Sequence, residues 1–372
     1  VRSFRFVMHC LSLLPFLMSA PLTLLFAQSS GTPPLIDLFD AKVKPGVVCY
    51  RIPAIMVLPD GTVIAAADER VPSCEDLRSN RDINIVLKKS KDLGKTWSPM
   101  ETVLDFPPGR SASDPSFIYD RITGGLFLFY NYMDLDASPG QYRFHYIRSS
   151  DGGDTWSALV DITSMISSQA ESQKFLFITS GTGVQTTDGI LLHTLVDVGA
   201  GSARLFGSND HGITWKTYGR PASPADETRV VELPDGRWML NARVNKAGYR
   251  VVHISADHGE TWTTRKEVGL PDPGCNAGLC AVGSDQSNSM LVFSNPASAT
   301  QRRSLTLRVS SDGGNTWSGG RLLYDGDAAY SCLAVGPDRT LFVLVERDRE
   351  PVISLIMLPE AEWNTPGKPG RH

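Results

Sequence analysis

Runs of four to eight apolar or alternating residues recur along this chain, separated by turn residues. "TVIAAADE", "GLFLFYNY", "GILLHTLV", "RWMLNARV", "YRVVHIS", "SMLVFS", "SLTLRVS" and "TLFVLVE" are of this kind. Pro59-Asp60-Gly61 and Pro234-Asp235-Gly236 punctuate them. Length, β-branched content and bounding turns predict strands joined as hairpins, with no long helix. One run is anomalous. "CYRIPAIMV", Cys49 to Val57, carries Arg51 where a core strand should begin. A guanidinium keeps its charge in a protein, so it needs an anion, either from the chain or from a ligand.

An octet recurs between the runs: "SKDLGKTW" (Ser90–Trp97), "SSDGGDTW" (Ser149–Trp156), "SNDHGITW" (Ser208–Trp215), "SADHGETW" (Ser255–Trp262) and "SSDGGNTW" (Ser310–Trp317). All obey S-x-D-x-G-x-T-W. The physics is that of a hairpin corner. Asp accepts from turn N–H groups, Gly takes a backbone angle other residues resist, Thr leads back into a strand and Trp packs it. These residues are expected to be structural. The octets start 59, 59, 47 and 55 residues apart. That is the size of a four-stranded propeller blade, and the chain holds about six such units. The expected fold is all-β, a six-bladed β-propeller with Asp-box turns, its last blade closed by an N-terminal strand.

Composition changes this picture at the N-terminus. Arg2 and Arg5 precede the apolar stretch "FVMHCLSLLPFLMSAPLTLLF", and Phe26-Ala27 precede Gln28. Residues 1–27 are expected to be a signal peptide, with an uncleaved anchor as the other reading, and 28–372 a single propeller catalytic domain. No later segment is apolar enough to span a bilayer. Residues 28–372 have 34 Lys+Arg against 40 Asp+Glu. That acidic balance argues against nucleic acid as a partner. Beyond Cys10 there are five cysteines, so at least one is free if the others pair within the chain. Cys275 and Cys280 could close a small loop. Neither the cysteines nor His193, His211, His253 and His258 have metal-ligand spacing. Tyr132, Tyr142 and Phe144 could wall a pocket or pack within their own loop.

A propeller gathers functional groups from every blade at one mouth. Arg51, Arg243 in "MLNARVN" and Arg302 in "ATQRRSLTL" each sit in or beside a strand pattern. Each could pair with a carboxylate of the chain. Together they could converge on one ligand carboxylate through charge-assisted, bidentate hydrogen bonds.

Arg51-Ile52-Pro53 after an aromatic residue, the repeated octets and the two further arginines resemble the non-viral sialidase (neuraminidase) superfamily, over nearly all of 28–372. The resemblance assigns Arg51, Arg243 and Arg302 to substrate binding, with Arg303 the competitor for the last place. It implies that Tyr330 in "AAYSCL" is the nucleophile, Glu227 in "ADETRVVEL" its partner, and Glu346 in "VLVER" a brace for Arg51. The acid/base aspartate is expected in "VPSCEDLRSNRDINIV", as Asp76 rather than Asp82. Arg70 and Asp114 resemble residues that line the sugar pocket; a loop-fixing ion pair is their other reading.

The implied activity is that of a secreted or periplasmic exo-α-sialidase, a glycoside hydrolase acting with retention on sialylated glycoproteins, glycolipids or oligosaccharides. The implied mechanism needs no metal and no cofactor. Sialic acid carries a carboxylate at its anomeric carbon, and a neutral tyrosine avoids the repulsion a carboxylate nucleophile would meet. A catalytically inactive sialic-acid-binding propeller, or lectin, is the alternative. An Asp-box glycosidase for neutral polysaccharides would have no use for three arginines. Transfer to an acceptor sugar, or release of an anhydro product, is the variation within the family.

Overall fold

The structure, a computed structural model, describes residues 1, 32–168, 171, 174–283, 289–348 and 352–364. Contacts divide the chain into Val1–Gly31 and Thr32–His372, and only the second unit is described below. The expected signal segment, Val1 apart, lies outside the described residues. Among the described residues no helix is long and apolar enough to cross a membrane.

The described residues of Thr32–His372 form an all-β fold with only two four-residue α-helical turns, and its small sheets are arranged like the blades of a propeller. Cys49–Val57, Val63–Arg70, Ile83–Ser90 and Glu101–Leu104 form one antiparallel meander. Arg110–Tyr119, Leu126–Asp134, Arg143–Ser149 and Val160–Asp161 form the next, and Gly181–Thr182 pairs parallel to its first strand. Leu191–Asp197, Ser202–Ser208 and Lys216–Ala222 continue the series, with Leu176–Ile178 and Val184–Gln185 against Leu191–Asp197. Thr228–Glu232, Trp238–Ala242, Gly248–Ser255 and Thr263–Asp272 follow. The last sheet has seven strands. In it the long strand Arg321–Val335 pairs through its first half with Arg303–Ser310 and through its second with Leu341–Arg347. Ile36–Phe39 closes this sheet against Val352–Leu358, the N-terminal closure expected from the sequence.

The apolar runs are unbroken because the middle strands are buried on both faces; all eight residues of Val63–Arg70 are buried. The cores lie between neighbouring sheets. Phe127 and Phe129 meet Leu191, Leu195 and Phe206 in one. Tyr50, Ile55 and Val63 meet Phe342, Leu344 and Ile353 in another.

The octets are hairpin corners, as their composition predicts. In the third, Ser208 Oγ donates to Asp210 at 2.7 Å and accepts from Gly212 N–H at 2.8 Å. Asp210 accepts from Thr214 N–H at 2.9 Å and Thr214 Oγ1 at 2.6 Å. The same four bonds recur at Asp92, Asp151, Asp257 and Asp312. Gly212 has φ +84°, and a Cβ there would lie 2.4 Å from Phe127. Position and contact both require glycine.

Two expectations are decided by the packing. Tyr142 and Phe144 sit in a core cluster with Tyr142 stacked on Phe175 at 5.1 Å, and Tyr132 meets His145 and Phe106 at 5.0 Å each, so these rings pack into the core, against neighbouring segments as well as their own. Cys275 and Cys280 are free, which corrects the small-loop reading; the disulfide joins Cys49 to Cys74. Cys280 lies within the extended strand Gly278–Val282. Extension carries it away from Cys275 at about 3.3 Å per residue, past the reach of a disulfide.

Candidate active site

The side chains picked out in the sequence come from separate sheets and meet around Tyr330. Arg51 is the third residue of Cys49–Val57. A register shift between Arg51 and Ala54 interrupts the pairing there, and Ile52 has φ +60°. This bulge re-aims the arginine out of the strand. The Glu346 carboxylate holds both parts of the bulge: it accepts from Ile52 N–H at 2.6 Å and from Arg51 at 3.3 Å. Glu346 is therefore the internal anion that the buried arginine required. The Arg51 side chain remains 18% exposed.

Tyr330 lies on the second half of Arg321–Val335. The Arg51 and Arg302 guanidinium carbons are 5.6 and 5.5 Å from its ring centre. Arg243 donates to its hydroxyl at 3.2 Å. Arg243 also pairs with Glu227 and donates to Asn245 at 2.8 Å. Arg302 donates to the Gly274 carbonyl at 3.0 Å. Arg303 points elsewhere and approaches Asp325 at 3.9 Å, so Arg302 is the one at the site.

The electrostatics separate the roles these groups can play. Burial, then the Glu227 charge, pushes the Tyr330 phenol well above its ordinary range; Arg243 and Arg51 oppose this. Tyr330 is neutral at rest and needs a base to become a nucleophile. Burial also raises Glu227, against the Arg243 charge and a hydrogen bond with Tyr330. A carboxylate so raised and so bonded is suited to take the phenolic proton.

Asp76 is on the loop after Val63–Arg70, and its side chain is 76% exposed. The loop is clamped twice. The Cys49–Cys74 disulfide ties it to the Arg51 strand. Arg70 is 1% exposed and donates to the Cys74 carbonyl at 2.8 Å, the Glu75 carbonyl at 3.1 Å and the Asp76 carboxylate at 2.8 Å. Arg51 is 3.5 Å from Asp76. Partial desolvation by the surrounding mouth tends to raise Asp76, but Arg70, Arg51 and Arg302 outweigh it and hold the carboxyl below its usual value. Asp82 has no such setting. Burial and the Asp105 and Glu69 charges raise it.

Asp114 lies at a second bulge of the same design. It precedes a proline, has φ +62°, and marks a register shift between Ser113 and Ser116. A carboxylate from the preceding sheet, Asp68, accepts its N–H at 3.0 Å, as Glu346 accepts that of Ile52. Asn131 donates to Asp114 at 3.0 Å. Burial and the Asp68 charge raise Asp114 well above the carboxylate range. Sequence reasoning missed Asp68, Asn131 and Asn245. The signal for Asp68 was present: "AAADER" ends an otherwise apolar strand with Asp68 and Arg70 on one face. His193 bonds Ser116 at 2.9 Å and is lowered by burial to about 3, which leaves it neutral. Among the described residues no group of His, Cys, Asp and Glu could hold a metal.

Small antiparallel sheets closed by five S-x-D-x-G-x-T-W corners, with cations from several sheets around one phenol, define an Asp-box propeller built to grip an anion. Comparison with known proteins takes this to a family. Residues 76–343 match the model for a BNR repeat-like domain. The sialidase of Micromonospora viridifaciens is 34% identical over 85% of this chain and 53% of its own length. That of Bacteroides fragilis strain YCH46 is 31% identical over 80% of this chain and 60% of its own. A solved structure, the Hadza microbial sialidase Hz136, superposes with TM-score 0.76 at 30% identity, covering 84% of this chain and 66% of that one. This chain belongs to the non-viral sialidase superfamily, as a member with the BNR repeat-like domain. It spans a little over half the length of those two curated relatives.

Proposed function

We propose that this chain is an exo-α-sialidase that releases terminal α-linked sialic acid from glycoconjugates. One observation carries the reading: Arg51, Arg243 and Arg302 surround Tyr330, whose hydroxyl meets Arg243 beside Glu227. A sialoside carboxylate would seat on the three guanidiniums. That places the anomeric carbon over the Tyr330 oxygen. Glu227 takes the phenolic proton as the oxygen bonds to carbon, and Asp76 gives its proton to the departing glycosidic oxygen. Asp76 then takes a proton from water, the water oxygen displaces Tyr330, and Glu227 returns the proton to the phenol. Two displacements give net retention. Before substrate arrives, Asp76 is held ionised by its arginines. A substrate carboxylate neutralises Arg51 and Arg302 and excludes water, so Asp76 acquires its proton in the complex. Arg70 and Asp114 line the pocket beside it.

The seven-stranded sheet reads as two four-stranded blades sharing Arg321–Val335, which with the other four makes a six-bladed propeller in one catalytic domain over 28–372. Export to the periplasm or the medium is favoured by the Cys49–Cys74 disulfide, since such bonds persist in oxidising compartments. The test is turnover of a fluorogenic sialoside, with the first-released anomer followed by proton NMR. Hydrolysis giving the α-anomer first, lost in Tyr330→Phe with binding of sialic acid kept, is the expected result. Binding without turnover by the unaltered protein would reduce it to a lectin.

A further inference from the structure

Arg302 differs from the other two arginines of the mouth. Arg51 and Arg243 each pair with a carboxylate of the chain, Glu346 and Glu227. Among the described residues Arg302 makes no ion pair. It lies against the Tyr330 ring and donates to the Gly274 carbonyl at 3.0 Å. A long side chain with few partners has many rotamers to lose when it grips a ligand, so its aim depends on that carbonyl.

The carbonyl belongs to the turn Asp272-Pro273-Gly274-Cys275, which leads from Thr263–Asp272 towards Gly278–Val282. Gly274 has φ +81°, and a Cβ there would lie 3.1 Å from Asn245 Oδ1, the atom that accepts from Arg243. One turn thus abuts the supports of two of the three arginines. Its shape is fixed from beneath. One oxygen of the Asp272 carboxylate accepts from Gly274 N–H at 2.9 Å and from Cys275 N–H at 3.0 Å. The other faces Arg250 at 3.3 Å and accepts from Asn295 at 3.0 Å. Arg250 donates to the Cys275 carbonyl at 2.8 Å, and Asn241 anchors it through its side-chain oxygen at 2.7 Å and its carbonyl at 3.0 Å. Both charged side chains are 0% exposed, so they act on a ligand only through what they hold. A buried ion pair adds little net stability over apolar residues of the same size. What this one adds is geometry: it occupies both N–H groups and one carbonyl of the turn and leaves the Gly274 carbonyl to face the mouth.

We propose that Asp272, seated on Arg250, is a positioning residue for substrate binding: it locks the turn whose Gly274 carbonyl aims Arg302 at the substrate carboxylate. The inference rests on the sialidase reading, in which Arg302 meets that carboxylate.

The test is steady-state turnover of a fluorogenic sialoside by the unaltered chain, Asp272→Ala, Asp272→Asn and Gly274→Ala, with thermal unfolding alongside. Asp272→Ala removes the acceptor of both turn N–H groups. A misaimed Arg302 weakens the hold on substrate and transition state alike, so KM should rise about tenfold with kcat within about threefold. Asp272→Asn keeps an oxygen for the two N–H groups but leaves Arg250 without its counter-ion, so Tm should fall while KM returns most of the way. In an Arg302→Ala background, Asp272→Ala should cost less than about twofold more in kcat/KM, because the group it positions is gone. An unchanged KM in a folded Asp272→Ala overturns the proposal. So does an equal loss in both backgrounds, or a KM as high in Asp272→Asn as in Asp272→Ala. If Asp272→Ala does not fold, Gly274→Ala decides, since it shifts the turn without touching the buried pair: a raised KM supports the proposal and an unchanged one overturns it. No turnover by the unaltered chain defeats the sialidase reading itself, a result distinct from all of these.

Discussion

Reducing the Cys49–Cys74 disulfide should cost stability while leaving catalysis almost intact. The bond closes a loop of 25 residues. Chain entropy for that length stabilises the folded state by about 3.5 kcal/mol. A domain of this size unfolds with an entropy near 0.7 kcal/mol per kelvin, so Cys49→Ser with Cys74→Ser should lower Tm by about 5 °C. Catalysis is another matter, because the bond is one of two clamps on the Asp76 loop. Arg70 reaches the Cys74 and Glu75 carbonyls and the Asp76 carboxylate. Asn80 donates to the Ser73 carbonyl at 2.7 Å from within the loop. With those bonds kept, kcat should stay within about threefold of the unaltered chain, under 1 kcal/mol at the barrier. The assays are calorimetry and fluorogenic turnover on the same preparations, after peptide mapping shows Cys49 joined to Cys74. An unchanged Tm with kcat down a hundredfold would refute the reasoning, since the disulfide and not Arg70 would then set Asp76.

Asp68 should impose a pH dependence on stability. Burial raises it from 3.8 to about 6 against the pull of Arg70, so its contribution is complete below 3.8 and lost as pH rises through 6. Asp68→Asn should remove that slope, and urea unfolding curves that stay parallel to those of the unaltered chain between pH 4 and 7 would contradict it. Gly212→Ala should destabilise by about 1–3 kcal/mol, through the left-handed angle and the Phe127 contact, measured as a urea midpoint. At Ile52, with φ +60°, Gly should be more stable than Ala by about 1 kcal/mol, the reverse of their order in an ordinary strand. Both variants lose the same buried side chain, so equal Tm values would remove the strain argument.

The repeats made the fold legible, because five octets with one composition can only be five corners of one kind. The arginines were legible for a different reason. A permanent charge inside an apolar run has no bland place to go, and Arg51 and Arg243 both proved to be ion-paired at the mouth. The cysteines were not legible: Cys275 and Cys280 are near in sequence, yet pairing depends on which strands the sheet brings side by side. Cys49 ends up opposite Arg70, and from there the loop to Cys74 is short.

The two bulges explain how one backbone device yields opposite chemistry. At Ile52-Pro53 and at Asp114-Pro115 a residue with positive φ precedes a proline, which has no N–H to give the ladder. The pairing therefore slips at that point, and the freed N–H of the first residue turns to a buried carboxylate of the preceding sheet, Glu346 or Asp68. What differs is the side chain each bulge presents. In the first it is Arg51, which pairs with the anchoring glutamate. In the second it is an acid, Asp114, set beside another acid; burial and the Asp68 charge push Asp114 toward protonation, while burial raises Asp68 against the restraint of Arg70. One side of the mouth is thereby made cationic, as the proposed grip on a carboxylate needs. The other is left nearly neutral and rich in hydrogen-bonding groups, which suits the uncharged hydroxyls of the proposed sugar.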